Sequence, residues 1–127
     1  MFKKLFGKKE ESTMTFGAER LTPMREDFPD ENFLNDGRII VDIRDEESIE
    51  DLGCYPNSVF IPFDENFVDE VKKLNKPVYV LCEKGVDSYE ATLKLREAGI
   101  DAENLNGGLY YIREVINIKP TLNQPTK

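Results

Sequence analysis

The residues Pro77-Val78-Tyr79-Val80-Leu81-Cys82-Glu83-Lys84-Gly85-Val86-Asp87-Ser88 constrain the fold of this chain more than any other stretch. An apolar, β-favouring run ends in a cysteine, a short glycine-containing loop follows, and a helical pattern starts at once. A strand feeding directly into a helix points to a parallel sheet, and it puts the intervening loop at the sheet's carboxyl edge, where open α/β folds place ligand sites. Cys82 is therefore expected to be displayed at that edge, not buried.

That local geometry has chemical content. Backbone N–H groups of a tight loop running into a helix N-terminus favour negative charge, through unpaired donors and the helix dipole. A thiolate held there is stabilised and made reactive. The competing reading is a small hydrophobe ending a buried strand, the usual place of a free cysteine. The local pattern weighs the two evenly.

The length, 127 residues, suits one domain with a core large enough to stand without disulfides. Two cysteines, Cys54 and Cys82, and the absence of a secretion-type leader point to a reducing, cytoplasmic setting. No apolar run is long enough for a membrane span. Histidine is absent, which removes Cys-His and Ser-His pairs, histidine-ligated metals and the usual general base near neutral pH. No metal and no other cofactor is expected. Any nucleophile has to be activated by backbone dipoles or by lysine and arginine.

The net charge is −8, from 17 basic and 25 acidic residues. Lys3, Lys4, Lys8 and Lys9 all lie in the first nine residues, so the remainder holds 13 basic against 25 acidic residues, or −12. Such a body repels nucleic acid. Residues 1–14 read as a flexible basic tail. Met1, Phe2, Leu5 and Phe6 share one helical face opposite the lysines, but so short a helix does not hold itself together in water. The balance favours a solvated tail over a membrane anchor.

Residues 15–117 read as the ordered domain, and 118–127 as a flexible C-terminal tail. Met14-Thr15-Phe16 suggests a short edge strand, and Leu21-Thr22-Pro23 a helix entry with proline in its first turn. Arg38 to Ile43 is a near-continuous apolar run of the kind found in interior parallel strands. Asp42 and Arg44 at its carboxyl end read, on residues alone, as a solvated strand end. Asp45 to Leu52 is a short acidic helix stopped by Gly53. Val59-Phe60-Ile61 is a strand cut off by Pro62. Phe67, Val68, Val71 and Leu74 recur at helical spacing, with Asp64 or Asn66 as cap. Ala91, Leu95 and Ala98 mark the core face of a helix closed by Gly99. A short strand follows within Ile100 to Leu105, then a sharp Asn106-Gly107-Gly108 turn and a terminal amphipathic helix carrying Leu109, Ile112, Val115 and Ile116.

Four of these segments, taken in order, resemble the rhodanese-like domain family. Ile40-Val41-Asp42-Ile43-Arg44 is similar to the family's strand ending in Asp-x-Arg. Gly53-Cys54-Tyr55-Pro56-Asn57-Ser58-Val59-Phe60-Ile61-Pro62 matches the spacing of its Gly-His-Ile-x-Gly-Ala...Pro segment, with Cys54 at the usual histidine. Cys82 to Ser88 resembles the active loop, and Leu105-Asn106-Gly107-Gly108 the turn before the closing helix, where Ile112 replaces a common tryptophan.

The resemblance implies a rhodanese-like α/β three-layer sandwich, with a five-stranded, mostly parallel sheet flanked by helices. It implies Cys82 as the catalytic sulfur acceptor of a sulfurtransferase or persulfide carrier. Glu83, Lys84, Gly85, Val86, Asp87 and Ser88 then form the substrate-binding loop, and Asp42 and Arg44 support it. Its short loop is closer to sulfurtransferases than to the related phosphatases, whose longer loop holds a phosphate. The partners implied are sulfur donor and acceptor proteins or small thiols. Asp87 stands where many sulfurtransferases carry arginine, and Glu83 adds a second carboxylate. Like charge disfavours a thiolate and repels an anionic donor, so thiosulfate is not the expected best donor. The alternative reading is a rhodanese-like binding or regulatory module whose chemistry has lapsed. Ser88 is expected to cap its helix, and Cys54 to be a bystander thiol in a turn rather than a resolving one.

Overall fold

The structure is a computed structural model, and it describes residues 28–124. The basic tail, the edge strand expected at 14–16 and the helix entry at Leu21-Thr22-Pro23 lie outside the described residues. Among those described, four strands form one sheet: β1 (Ile39–Asp42), β2 (Ser58–Phe60), β3 (Val78–Leu81) and β4 (Ala102–Asn104). Their order is β2-β1-β3-β4, and every pairing is parallel. Five strands were expected; the fifth, placed at 14–16, lies outside the described residues.

Parallel neighbours need crossovers, and the chain supplies a helix for each. Helix α1 (Glu46–Leu52) joins β1 to β2, α2 (Phe67–Lys72) joins β2 to β3, and α3 (Val86–Glu97) joins β3 to β4. Helix α4 (Gly108–Glu114) follows β4. Asp45 caps α1 by accepting the Ser48 N–H at 2.8 Å, an arrangement worth about 1 kcal/mol. Gly53, at φ 83°, ends it. Asn66 rather than Asp64 occupies the cap position of α2, and its side chain makes no capping bond.

The alternation of strand residues divides the core in two. Val41, Val59, Val78, Val80 and Ala102 pack with Phe67 and Val71 of α2 and with Ala91 and Leu95 of α3. On the opposite face Ile40, Leu81 and Leu105 pack with Phe33, Tyr55, and Leu109 and Ile112 of α4. Each fully buried valine or leucine contributes roughly 1.5–3 kcal/mol. Phe33 arrives on a 3₁₀ turn at Glu31–Leu34, capped by Asp30, which the sequence pattern does not reveal. The terminal helix is shorter than expected. It ends at Glu114, and Val115 is exposed because it falls beyond the last core-facing turn.

Residues 118–122 turn back onto the domain. The Tyr55 hydroxyl donates to the Ile118 carbonyl at 2.6 Å, and Cys54 exchanges backbone hydrogen bonds with Leu122. The chain runs outward from β1 to β2 and then crosses back to β3, so the sheet reverses its direction of winding between β1 and β3. Asp42 pairs with Leu81 in register, and Cys82 is the next residue at this switch point.

Candidate active site

Cys82 leaves the end of β3 and α3 begins four residues later, so the intervening loop has to fold tightly. Gly85 makes this feasible by adopting φ 91° at the α3 cap position, a left-handed conformation that side chains resist. The loop wraps around the cysteine sulfur. The Gly85 N–H donates to Cys82 Sγ at 3.2 Å and the Ser88 N–H at 3.3 Å, while the thiol and the Ser88 hydroxyl lie 3.2 Å apart. Cys82 is only 4% exposed. The expectation of a displayed sulfur is thus corrected: the loop closes over it, but with polar donors and not with hydrocarbon. Ser88 is corrected as well. It sits in the first turn of α3, makes no capping bond, and gives its side chain to the sulfur.

The loop carbonyls face the other way. Leu109 N–H donates to the Cys82 carbonyl and Tyr110 N–H to the Glu83 carbonyl, both at 2.9 Å, so the start of α4 takes up two oxygens of the loop. Asn104 Nδ2 takes the Gly85 carbonyl at 3.2 Å. This contact is tight: a Cβ on Gly85 would stand 2.6 Å from the Gly107 nitrogen, and one on Gly108 would stand 2.6 Å from the Cys82 oxygen. Gly107 and Gly108 therefore serve close approach of the β4–α4 turn to the loop.

Of the other expected loop residues, Gly85 and Ser88 are buried, whereas Glu83, Lys84, Val86 and Asp87 are exposed and form the outer rim. The two carboxylates belong to residues in contact with water, where charge is screened. Val86 is 65% exposed.

Asp42 and Arg44 are not a solvated strand end. They form an ion pair at 2.7 Å in which both side chains are fully buried. Arg44 Nε also donates to Asp42 Oδ1 at 3.0 Å, and Nη2 donates to the Gly53 carbonyl at 2.7 Å. The pair ties the end of β1 to the exit of α1, and its bonds run to Ser48 and Gly53 rather than to Cys82. Cys54 is buried beside it, and its thiol is turned toward the Leu122 carbonyl at 3.6 Å. Burial pushes the Cys54 thiol up from its ordinary range; a hydrogen bond from Ser58 and the Arg44 charge pull in the opposite direction.

Sequence reasoning missed Asn104 and Asn106. Both are buried polar residues, and Asn104 Nδ2 also donates to Asn106 Oδ1 at 2.6 Å. The available signal was an asparagine closing a short strand just ahead of the Leu105-Asn106-Gly107-Gly108 turn.

Hydrogen bonds to a charged acceptor are stronger than those between neutral groups. The cup around Cys82 directs two backbone N–H donors and a hydroxyl at one sulfur. A parallel α/β sheet with a cysteine cupped at its switch point defines a cysteine-loop domain. Within that class the match is specific: the family model of the rhodanese-like domain matches residues 30–114, and the chain belongs to that family. It is 34% identical over 103 residues to the adenylyltransferase and sulfurtransferase UBA4 of Yarrowia lipolytica, covering 78% of this chain and 25% of that protein. The chain thus spans a quarter of the length of this curated relative. Among solved structures it is similar to reduced CoADR-RHD of Bacillus anthracis, at 25% identity and a TM-score of 0.56, covering 65% of this chain and 15% of that one. It is also similar to a rhodanese-like domain protein of Staphylococcus aureus, at 31% identity and a TM-score of 0.53, covering 63% of this chain and 80% of that one.

Proposed function

We propose that this chain is a sulfurtransferase or persulfide carrier that moves sulfane sulfur through Cys82. The observation that carries the reading is the cup itself, in which the amides of Gly85 and Ser88 and the Ser88 hydroxyl surround one sulfur. The sulfurtransferase named in the UBA4 relative supports it. In the first step the Cys82 thiolate attacks the outer sulfur of a donor persulfide, R–S–SH. The new S–S bond forms as the donor's S–S bond breaks, leaving Cys82–S–S⁻ and R–SH. An acceptor thiol then attacks the outer sulfur of Cys82–S–S⁻, becomes R′–S–SH, and returns Cys82 as thiolate. No external oxidant is consumed. Backbone donors supply the stabilisation, and they do not depend on side-chain identity.

Glu83 and Asp87 on the rim disfavour a dianion such as thiosulfate as donor. A protein persulfide carried beside basic residues suits the rim better, because docking neutralises it. The chemistry needs a reduced thiol, which fits a cytoplasmic setting. No helix among the described residues is long and apolar enough to cross a membrane.

The test is intact mass after incubating reduced protein with a sulfane-sulfur donor. A single-sulfur adduct is expected, and Cys82→Ser should abolish it while the fold is retained. No adduct from small-molecule or protein persulfide donors would remove the catalytic reading. The same rim carboxylates would then favour the alternative, a rhodanese-like binding module without chemistry.

A further inference from the structure

The cup works only if amides, not carbonyls, face the sulfur. A peptide unit is planar, so its N–H and C=O point in opposite directions, and a flip about the flanking ψ and φ exchanges them. Glycine leaves such a flip open, because it occupies positive and negative φ about equally readily. The Gly85 carbonyl belongs to the 85–86 peptide, which lies between the 84–85 and 87–88 peptides whose N–H groups, those of Gly85 and Ser88, donate to the sulfur, and glycine leaves that peptide free to rotate.

Three carbonyls of this loop are held outward. Those of Cys82 and Glu83 are bound by the backbone N–H groups of Leu109 and Tyr110, which no substitution except proline removes. The Gly85 carbonyl is held by a side chain, the Nδ2 of Asn104 at 3.2 Å. That amide is itself oriented by Asn106 Oδ1 at 2.6 Å. Its own strand position is fixed, since Asn104 pairs with Val80 in register and Leu105 N–H donates to the Val80 carbonyl at 3.0 Å. Asn104 is 5% exposed and Asn106 fully buried, so water does not readily replace either group.

We infer that Asn104 is a positioning residue: by holding the Gly85 carbonyl it fixes the 85–86 peptide, and with it the direction of the Gly85 and Ser88 amides on either side that donate to the sulfur. Asn104 does not touch the reacting atoms. It acts through the 85–86 peptide, and Asn106 acts through Asn104. The inference rests on the sulfur-transfer reading for its biological meaning, but its geometry is testable without any sulfur transfer.

The experiment compares wild type with Asn104→Ala, Asn104→Asp and Asn106→Ala. Asn104→Asp keeps the side-chain shape and replaces the donor by an acceptor. Three readouts are taken: the alkylation rate of Cys82 by iodoacetamide near neutral pH, the Gly85 amide signal in a ¹H–¹⁵N spectrum, and thermal stability. Both Asn104 variants should slow alkylation on the order of tenfold, the factor that corresponds to one lost supporting hydrogen bond. The Gly85 amide proton should move upfield as its bond to sulfur weakens. Asn106→Ala should do the same to a smaller extent. A folded Asn104→Asp with an alkylation rate within about twofold of wild type and an unmoved Gly85 signal would overturn the inference. If Asn104→Ala fails to fold, Asn104→Asp and Asn106→Ala carry the test. Because alkylation needs no donor, failure of the wild type to accept sulfur counts against the sulfurtransferase reading alone.

Discussion

Arg44 illustrates how far a single side chain departs from what its letter suggests. A guanidinium beside an acidic helix reads as surface charge, yet it lies fully buried against Asp42, with a further bond to the Gly53 carbonyl. Separating such a pair leaves an uncompensated charge in the interior. Arg44→Ala should lower the unfolding free energy by about 3–5 kcal/mol, measured by urea titration. Replacing both partners by apolar residues of similar volume should cost less than either single change, because no charge is stranded. An Arg44→Ala protein with an unchanged urea midpoint would show that water reaches the pair.

At the scale of elements, the decisive contact is between the Cys82 loop and the β4–α4 turn. The loop depends on a strand that follows it by some twenty residues, because Gly85 meets Gly107 and Gly108 meets the Cys82 carbonyl with no room for a side chain. Gly85→Ala would add left-handed strain to a clash with backbone, and neither is relieved by a rotamer change. It should cost more than about 1 kcal/mol of stability and slow the alkylation of Cys82 relative to wild type. Unchanged reactivity in a folded Gly85→Ala protein would mean that the turn and loop are not packed together. The sheet order carries the same logic: a cysteine at the end of β3 is useful only because β1 lies beside it and β2 lies beyond, opening the switch point.

For the whole molecule, alkaline pH is the condition that the buried phenols and thiol make critical. Burial raises the Cys54 thiol above its ordinary 9.0, and it raises Tyr55 and Tyr79 above their ordinary 10.0. For Tyr79 the hydrogen bond to Asp36 adds to burial. In each case the folded state keeps a proton that the unfolded chain releases. The stabilisation is complete below the unfolded-state value and is lost as pH rises past it. Urea midpoints should therefore start to fall near pH 9 and fall more steeply above about pH 10. Tyr55→Phe should flatten that dependence while costing about 1–2 kcal/mol, since the Ile118 carbonyl loses its donor. A midpoint that does not change over this range would contradict the burial of these groups.

The sequence alone determined the parallel α/β class, the helices between strands, the cysteine loop and the family resemblance. Each of these is written in local pattern: unbroken apolar runs for interior strands, helical spacing at Ala91 and Leu95, and glycine where φ turns positive. The tertiary structure alone decided that the sulfur is enclosed, that Ser88 serves it instead of a helix cap, that Asp42 and Arg44 are interior, and that Asn104 reaches Gly85. Those facts depend on which strands lie side by side and in what register. A hydrogen bond between residues nineteen positions apart leaves no periodicity in the chain, so only the folded arrangement reveals it.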